Sequence, residues 1–506
     1  MVLLKNKKMK KSILLIAALV AALNTTISQN VDDALRYSQF FYNGTARFMS
    51  MGGAFTALGG DISTLSQNPA GLGVFRTSEF SISPQLFNFR SQSVLNGTGS
   101  EDFLYNFNLG QAGIVLNLKN SESTTGLVTL NFGYSFNRSN NYEESINIEG
   151  ESEGSSLLDF WAEKMEGIVD TMLNEYPDLA DAYLGWRSWL LDPLSGTNDT
   201  YGTAYTDYGR YDSDYGKSMT RLISNTGYTG EHSLSLGGNF SNNLYLGATL
   251  GIIRVEYESS FRHTESSDSM LVSGFRAFDY NYYYRNWGTG YNLKFGMIYK
   301  PVEPLRIGFT FHSPTLYWMN EYLNDDIYSI VDGKDDGAYE NEASWFKYKL
   351  RTPFRATLGV AYQVKKLGVI SAEYEFVDYA MARFSTVGSD DYDYKDKNQA
   401  IKNALRSTGN LRAGAEARIN RLYLRGGYGY YGKAFKSGDI NQDACYHSVS
   451  GGAGFRDQNL YLDFGYTRMM YPQKYILYAT SFEAPTADID ITRNIFTISF
   501  GYKFGY

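Results

Sequence analysis

The feature that most limits the fold of this chain is a regular alternation of short and long connections between segments of alternating side-chain character. Residues 233–240 and 244–257 show it best, because only Ser241, Asn242 and Asn243 separate them, which reads as a tight hairpin. In the second segment Tyr245, Gly247, Thr249, Gly251, Ile253 and Val255 face one way. Leu244, Leu246, Ala248, Leu250 and Ile252 face the other. The same construction recurs at 291–299 with 305–311, 355–364 with 369–377, 411–419 with 422–431, and 448–455 with 460–467. Longer polar stretches, 259–286, 314–344 and 383–407, lie between the hairpins. Short turns at one end and long loops at the other are how a barrel in a bacterial outer membrane disposes its connections. Segments 80–89, 106–118, 126–148 and 494–504 bring the count to about fourteen strands. The reading is all-β: a transmembrane antiparallel β-barrel with both termini on the short-turn side.

Composition agrees once the two faces are separated. The chain holds 43 Tyr, 31 Phe and 50 Gly against 10 Pro, a balance suited to long strands with aromatic girdles. Its mean hydropathy of −0.34 conceals a membrane, because lipid-facing and lumen-facing residues alternate and average out. At the start, Lys5, Lys7, Lys8, Lys10 and Lys11 precede a short apolar run, 13–23, which reads as a secretory signal over 1–29. Removing its five Lys takes the formal charge from −8 to −13, which argues against nucleic acid as a partner. One cysteine, Cys445, excludes an intrachain disulfide framework.

One connection, 149–228, differs from the others in carrying helical periodicity. Ser156 and Asp159 form a capping box ahead of Leu158, Trp161, Met165, Ile168 and Met172, and Pro177 ends the run. Leu179, Ala182, Tyr183, Trp186, Trp189 and Leu190 suggest a second helix. So much Trp and Met in an outer loop points to a hydrophobic ligand groove, with Leu158, Trp161, Met165, Ile168, Met172, Trp186 and Trp189 as candidate contacts. The alternative is that these helices only pack on the barrel rim.

Ahead of the first strand, 43–61 is rich in small residues and includes Gly52, Gly53, Gly59 and Gly60; Asn68-Pro69-Ala70 follows. Glycine permits close backbone approach, and Pro69 holds Asn68 extended, as a compact plug requires. This stretch resembles the N-terminal hatch of the FadL family of outer-membrane transporters. So do Tyr299-Lys300-Pro301, Thr352-Pro353 and 424–428, and the acidic, Tyr-rich loops are similar to those of Bacteroidetes members. The resemblance implies an N-terminal hatch over 30–79 inside a barrel over 80–506, with Gly52, Gly53, Asn68, Pro69 and Ala70 in the gating region. It implies passive passage of hydrophobic small molecules, such as long-chain fatty acids, with outer-membrane lipid and the barrel-assembly machinery as partners. Some barrels of this kind instead dock proteins as secretion-system subunits, so that reading stays open. Lys164 and Arg187 are the loop cations that could meet a ligand carboxylate.

Other constellations carry little. Gly427 to Gly432 fits a dinucleotide pattern in letters but lies inside a strand-like run. His232, His263, His312 and His447 have no metal-ligand spacing. The acidic clusters around Asp325 and Asp390 lack the EF-hand spacing. No catalytic motif occurs, and neither an enzyme nor a cofactor or metal is expected.

Overall fold

The computed structural model describes residues 29–505 except 153, 207, 209–216, 268–270, 272, 335, 336 and 389–391. The wall is a closed antiparallel barrel of 14 strands. These are β1 (Ser78–Leu95), β2 (Thr98–Asn120), β3 (Leu127–Asn141, continuing as Glu144–Ser152), β4 (Lys217–Phe240) and β5 (Leu244–Ser267). Next come β6 (Phe275–Val302), β7 (Leu305–His312 with Leu316–Val331), β8 (Ser344–Arg351 with Arg355–Val364) and β9 (Gly368–Asp378 with Arg383–Ser385). Last are β10 (Ser407–Ile419), β11 (Leu422–Tyr431), β12 (Tyr446–Arg456), β13 (Leu460–Ile476) and β14 (Thr486–Phe504). The barrel closes where β14 pairs with β1, from Ser78 opposite Phe504 to Val94 opposite Asp488.

The two faces of β14 show why the wall spans a membrane. Phe496, Ile498, Phe500 and Tyr502 are exposed, while Thr497 and Ser499 are buried inside. Apolar residues point outward around the whole barrel and polar ones inward, the reverse of a soluble β-protein. Among the described residues no helix is long and apolar enough to cross a membrane.

Several strands run further than their apolar pattern suggests. The polar stretches 259–286 and 314–344 are largely ladder: β5 reaches Ser267, β6 begins at Phe275 and β7 ends at Val331. Above the membrane both faces meet water or loop, so the strands continue without alternating hydrophobicity. β1 and β2 join through Asn96 and Gly97, at φ of 50° and 86°, a two-residue hairpin turn. The wall starts at Ser78 rather than residue 80, and strands take both ends of 149–228, leaving 153–216 as the connection. The leader, apart from Gln29, lies outside the described residues.

Residues 29–77 fold inside the barrel as a plug with short helices at Val31–Arg36, Ala46–Ser50 and Thr64–Gln67. Glycines of the wall let the plug backbone lie directly against the strands. Gly237, Gly247 and Gly296 stand opposite one another across β4, β5 and β6. A Cβ at Gly247 would collide with the Pro69 carbonyl, and one at Gly296 with the Asn68 side chain. On the far side Gly414 and Gly427 are paired in the same way beneath Met51 and Gly52.

Gly247→Val is therefore expected to leave β5 paired but to unseat the plug, at roughly 1–3 kcal/mol for overpacking. Hydrogen exchange should show amides of 64–74 opening at least about five-fold more often, with β5 protection unchanged. Equal protection of 64–74 in both proteins would contradict the seating.

Candidate functional site

The interior has three tiers: the plug, an aromatic column above it, and a cap formed by the long connection. The plug is held by hydrogen bonds as well as shape. Asn68 donates to the Thr56 carbonyl at 2.6 Å, and its Oδ1 accepts from Ala70 N at 3.1 Å, with Pro69 opening the next turn. Gln67 donates to Gly53 O at 2.7 Å and to Glu373 at 2.9 Å. Glu373 also accepts from Thr56 N at 2.9 Å. Wall side chains reach in to meet plug carbonyls: Lys294 to Ser66 at 2.6 Å, Thr249 to Leu65 at 2.9 Å and Asn131 to Leu72 at 2.8 Å. Arg47 forms an ion pair with Glu416 at 2.9 Å. Gly52 and Gly53, at φ of 62° and 73°, bend the chain where it meets β10 and β11. Breaking one buried charged contact of this kind costs about 3–5 kcal/mol, so the plug is firmly seated.

Above it, Phe41 packs against Tyr431 at 5.0 Å and Tyr446 at 5.1 Å, and Tyr446 against Tyr471 at 4.3 Å. Phe87, Phe89, Met469, Ile489 and Ile491 carry the apolar lining up to the cap in one continuous cluster. The cap contains helices at Leu157–Met165 and Ala180–Arg187. Leu158, Trp161 and Met165 are fully buried, with Trp161 edge-on to Tyr280 at 5.1 Å and donating to Asp181 at 3.0 Å. Ile168 and Trp186 sit at the margin, Trp186 stacked on Tyr183, while Met172 and Trp189 are exposed. The seven loop residues thus do not line a single open groove in this state. Neither loop cation is unpartnered: Lys164 pairs with Asp181 at 2.5 Å and Arg187 lies over Tyr339 at 4.3 Å.

One wall carboxylate latches the cap. Glu265, near the top of β5, accepts from Ser156 Oγ at 2.5 Å, Leu157 N at 2.8 Å and Tyr205 OH at 3.0 Å, and His263 Nε2 lies 2.9 Å away. It was hidden in the sequence because it lies in a polar stretch that reads as loop. The other acidic groups serve local structure. Asp325 accepts from Tyr280 and Asn341, and Asp332 pairs with Arg276 at 2.7 Å. Asp335, Asp336, Asp390 and Asp391 lie outside the described residues. Among the described residues no group of acids, His or Cys could hold a metal.

Among the described residues the ladder of the wall is interrupted between β2 and β3. β2 pairs with β3 only from Gln111 opposite Asn137 down to Asn120 opposite Thr129. Above that, residues 98–110 pair with β1 alone, and Glu144–Ser152 pairs with β4 alone. The upper part of β3 passes behind the β1–β2 hairpin, its carbonyls met by side chains instead of a ladder. Ser91 donates to Ser145 O at 2.9 Å, Ser100 to Asn147 O at 2.7 Å, and Asn96 to Glu151 O at 2.9 Å. A hollow of about 490 Å³ flanks the crossing, with Asp102 and Ser145 on its rim and Ile146, Phe261 and Tyr282 shared with the lumen lining. Beside the open edge Phe103, Tyr105 and Phe107 are 62%, 65% and 75% exposed.

No protein-family model and no curated protein matches the sequence. Solved structures match in fold. A Pseudomonas aeruginosa FadL homologue aligns over 92% of this chain and 100% of its own at 13% identity, with a TM-score of 0.53. The Pseudomonas putida toluene transporter TodX aligns over 92% and 100% at 11% identity and 0.52, and a second TodX structure over 92% and 99% at 12% and 0.51. The shared feature at these identities is the closed 14-stranded antiparallel barrel.

The cap should respond to pH. Burial raises the Asp159 carboxyl from 3.8 to about 6, against the opposing pull of the Lys217 ammonium. A raised carboxyl stabilises the folded cap fully below its unfolded value and loses that contribution as pH rises through about 6. Exchange protection of Leu157–Met165, corrected for intrinsic rate, should fall about ten-fold between roughly pH 5 and pH 7.5. Asp159→Asn should flatten the profile; an unchanged slope in that variant would contradict the assignment.

Proposed function

We propose that this chain is an outer-membrane channel that admits small hydrophobic molecules passively and releases them sideways through the break between β2 and β3. The observation that carries this reading is a ladder break located above a firmly seated plug. A route past the plug would break many buried polar contacts, whereas the crossing at the break is held by three neutral hydrogen bonds, each worth about 0.5–1.5 kcal/mol, with the Ser145 bond to the Asp102 carboxylate and the Arg493–Glu144 ion pair beside them. The ligand would be captured at the cap, descend the aromatic column and leave beside Phe103, Tyr105 and Phe107. Burial of its apolar surface would supply the affinity, at about 25 cal/mol per Å². That the similar structures include a toluene transporter supports a hydrophobic cargo.

The interior also favours a neutral ligand over a fatty-acid carboxylate. Four buried cations already sit on carboxylates: Lys294 on Glu231, Arg355 on Glu375, Arg412 on Glu373 and Arg425 on Asp463. In this reading Gly52, Gly53, Asn68, Pro69 and Ala70 keep the periplasmic end shut rather than opening it.

A second reading rests on the same open edge. Residues 98–110 offer a strand edge without a ladder partner among the described residues, the kind to which a protein partner adds a strand. A secretion-system subunit would use it so.

The test is the influx of N-phenylnaphthylamine into cells whose outer membrane contains the protein. Influx should rise at least about five-fold over cells lacking it, and further in Glu265→Ala, where the cap latch is gone. No rise in either, with a stable protein complex on gentle extraction, would replace transport with docking.

A further inference from the structure

We propose that the outer face of β5 to β8 binds the phosphorylated headgroup of an outer-leaflet lipid. The site lies where the lipid-facing apolar belt gives way to the polar rim on the long-loop side. Along β8 the buried residues Tyr348 and Leu350 point into the barrel, so Lys347, Lys349 and Arg351 point out. None of the three makes an ion pair or hydrogen bond among the described residues. Register extends the patch sideways: Lys349 stands opposite Trp318, Trp318 opposite Thr289, and Thr289 opposite Arg254. Arg254 is 64% exposed on its side chain and only 4.0 Å at best from Glu256. From strand geometry the three β8 cations are spaced by about 7 Å, and Arg254 lies about 14 Å across the sheet from Lys349.

Two further features point to lipid. Trp287, Trp318 and Trp345 surround the cations, with Trp287 and Trp345 in edge contact at 6.1 Å, and Trp is the residue that settles at headgroup level. Exposed Leu316 stands beside Arg351, and exposed Leu293, Phe295 and Phe309 lie below it, facing acyl chains. In a chain whose formal charge is −8, Arg254, Arg285, Lys347, Lys349 and Arg351 outnumber Glu256 and Glu258 on this face, and the two carboxylates sit on Arg285 and Arg254 rather than on the β8 cations. An anion at this height, reached from the membrane side, is a lipid phosphate. The cations sit outside the lumen, so the proposal does not depend on what the barrel carries.

The test is native mass spectrometry of the full mature protein, titrated with bis-phosphorylated lipid A and with its dephosphorylated form. The wild type should retain the phosphorylated lipid at least about ten-fold more tightly, and Lys347→Gln/Lys349→Gln/Arg351→Gln should fall to the level of the dephosphorylated lipid. Arg90→Gln/Arg468→Gln, exposed cations on the opposite wall, should bind as the wild type does. Equal retention of both lipids, undiminished binding by the triple variant, an equal loss in the control, or equal competition by free pyrophosphate would each overturn it. If the triple variant fails to show the heat-modifiable band of a folded barrel, Lys349→Gln alone decides, with a loss of about three-fold expected and none contradicting.

Discussion

Hydrocarbon offers no hydrogen-bond partner, so a strand that crosses it must give every backbone N–H and C=O to a neighbouring strand. In this protein that demand is met by continuous pairing through 14 strands and by the β14–β1 closure. Residues 98–110 and the upper part of β3 are where it lapses. Their edges sit where the apolar belt ends, and Ser91, Asn96 and Ser100 replace the missing ladder with side-chain bonds. A ladder that is complete below and replaced by side-chain donors above can part locally without unfolding the barrel.

The plug gives that local weakness its meaning. Wall glycines such as Gly247 and Gly296 let plug backbone rest on strand backbone, and buried ion pairs such as Arg47–Glu416 fix it there. The plug closes the lower end, and a cap latched on Glu265 closes the upper end. Cap, aromatic column and the inner side of the wall break belong to one packed apolar cluster that includes Trp161, Tyr446, Tyr471 and Ile146.

Much of the wall could be read from the chain because lipid and lumen impose opposite polarity on successive residues; β5 and β14 carry that alternation plainly. The turn at Asn96-Gly97 has the form of a two-residue hairpin signal, but the polar stretches 90–93 and 98–102 beside it break the alternation that would mark the strands. The glycine-rich run and Asn68-Pro69-Ala70 announced close packing, and the structure supplies the partners, Gly247 and Gly296, from strands far along the chain. The candidate ligand residues were harder. Helical periodicity identifies which side of a helix is apolar, but not whether that side meets a ligand or, as for Leu158, Trp161 and Met165, the wall of its own barrel. The wall break had no sequence signature at all, since it is an absence of pairing between two segments that each look like good strands.

The most direct test of the lateral route is to tie the crossing shut. Ser145 donates to Asp102 at 2.6 Å across the break, so Asp102→Cys with Ser145→Cys, in a Cys445→Ser background, sets two thiols facing each other across the crossing, to be joined by oxidation with a short bifunctional thiol reagent. The account predicts that the reduced variant admits N-phenylnaphthylamine as the wild type does, that oxidation lowers influx at least about ten-fold, and that reductant restores it. Undiminished influx through the fully oxidised barrel would show that cargo leaves by another way and would contradict the account.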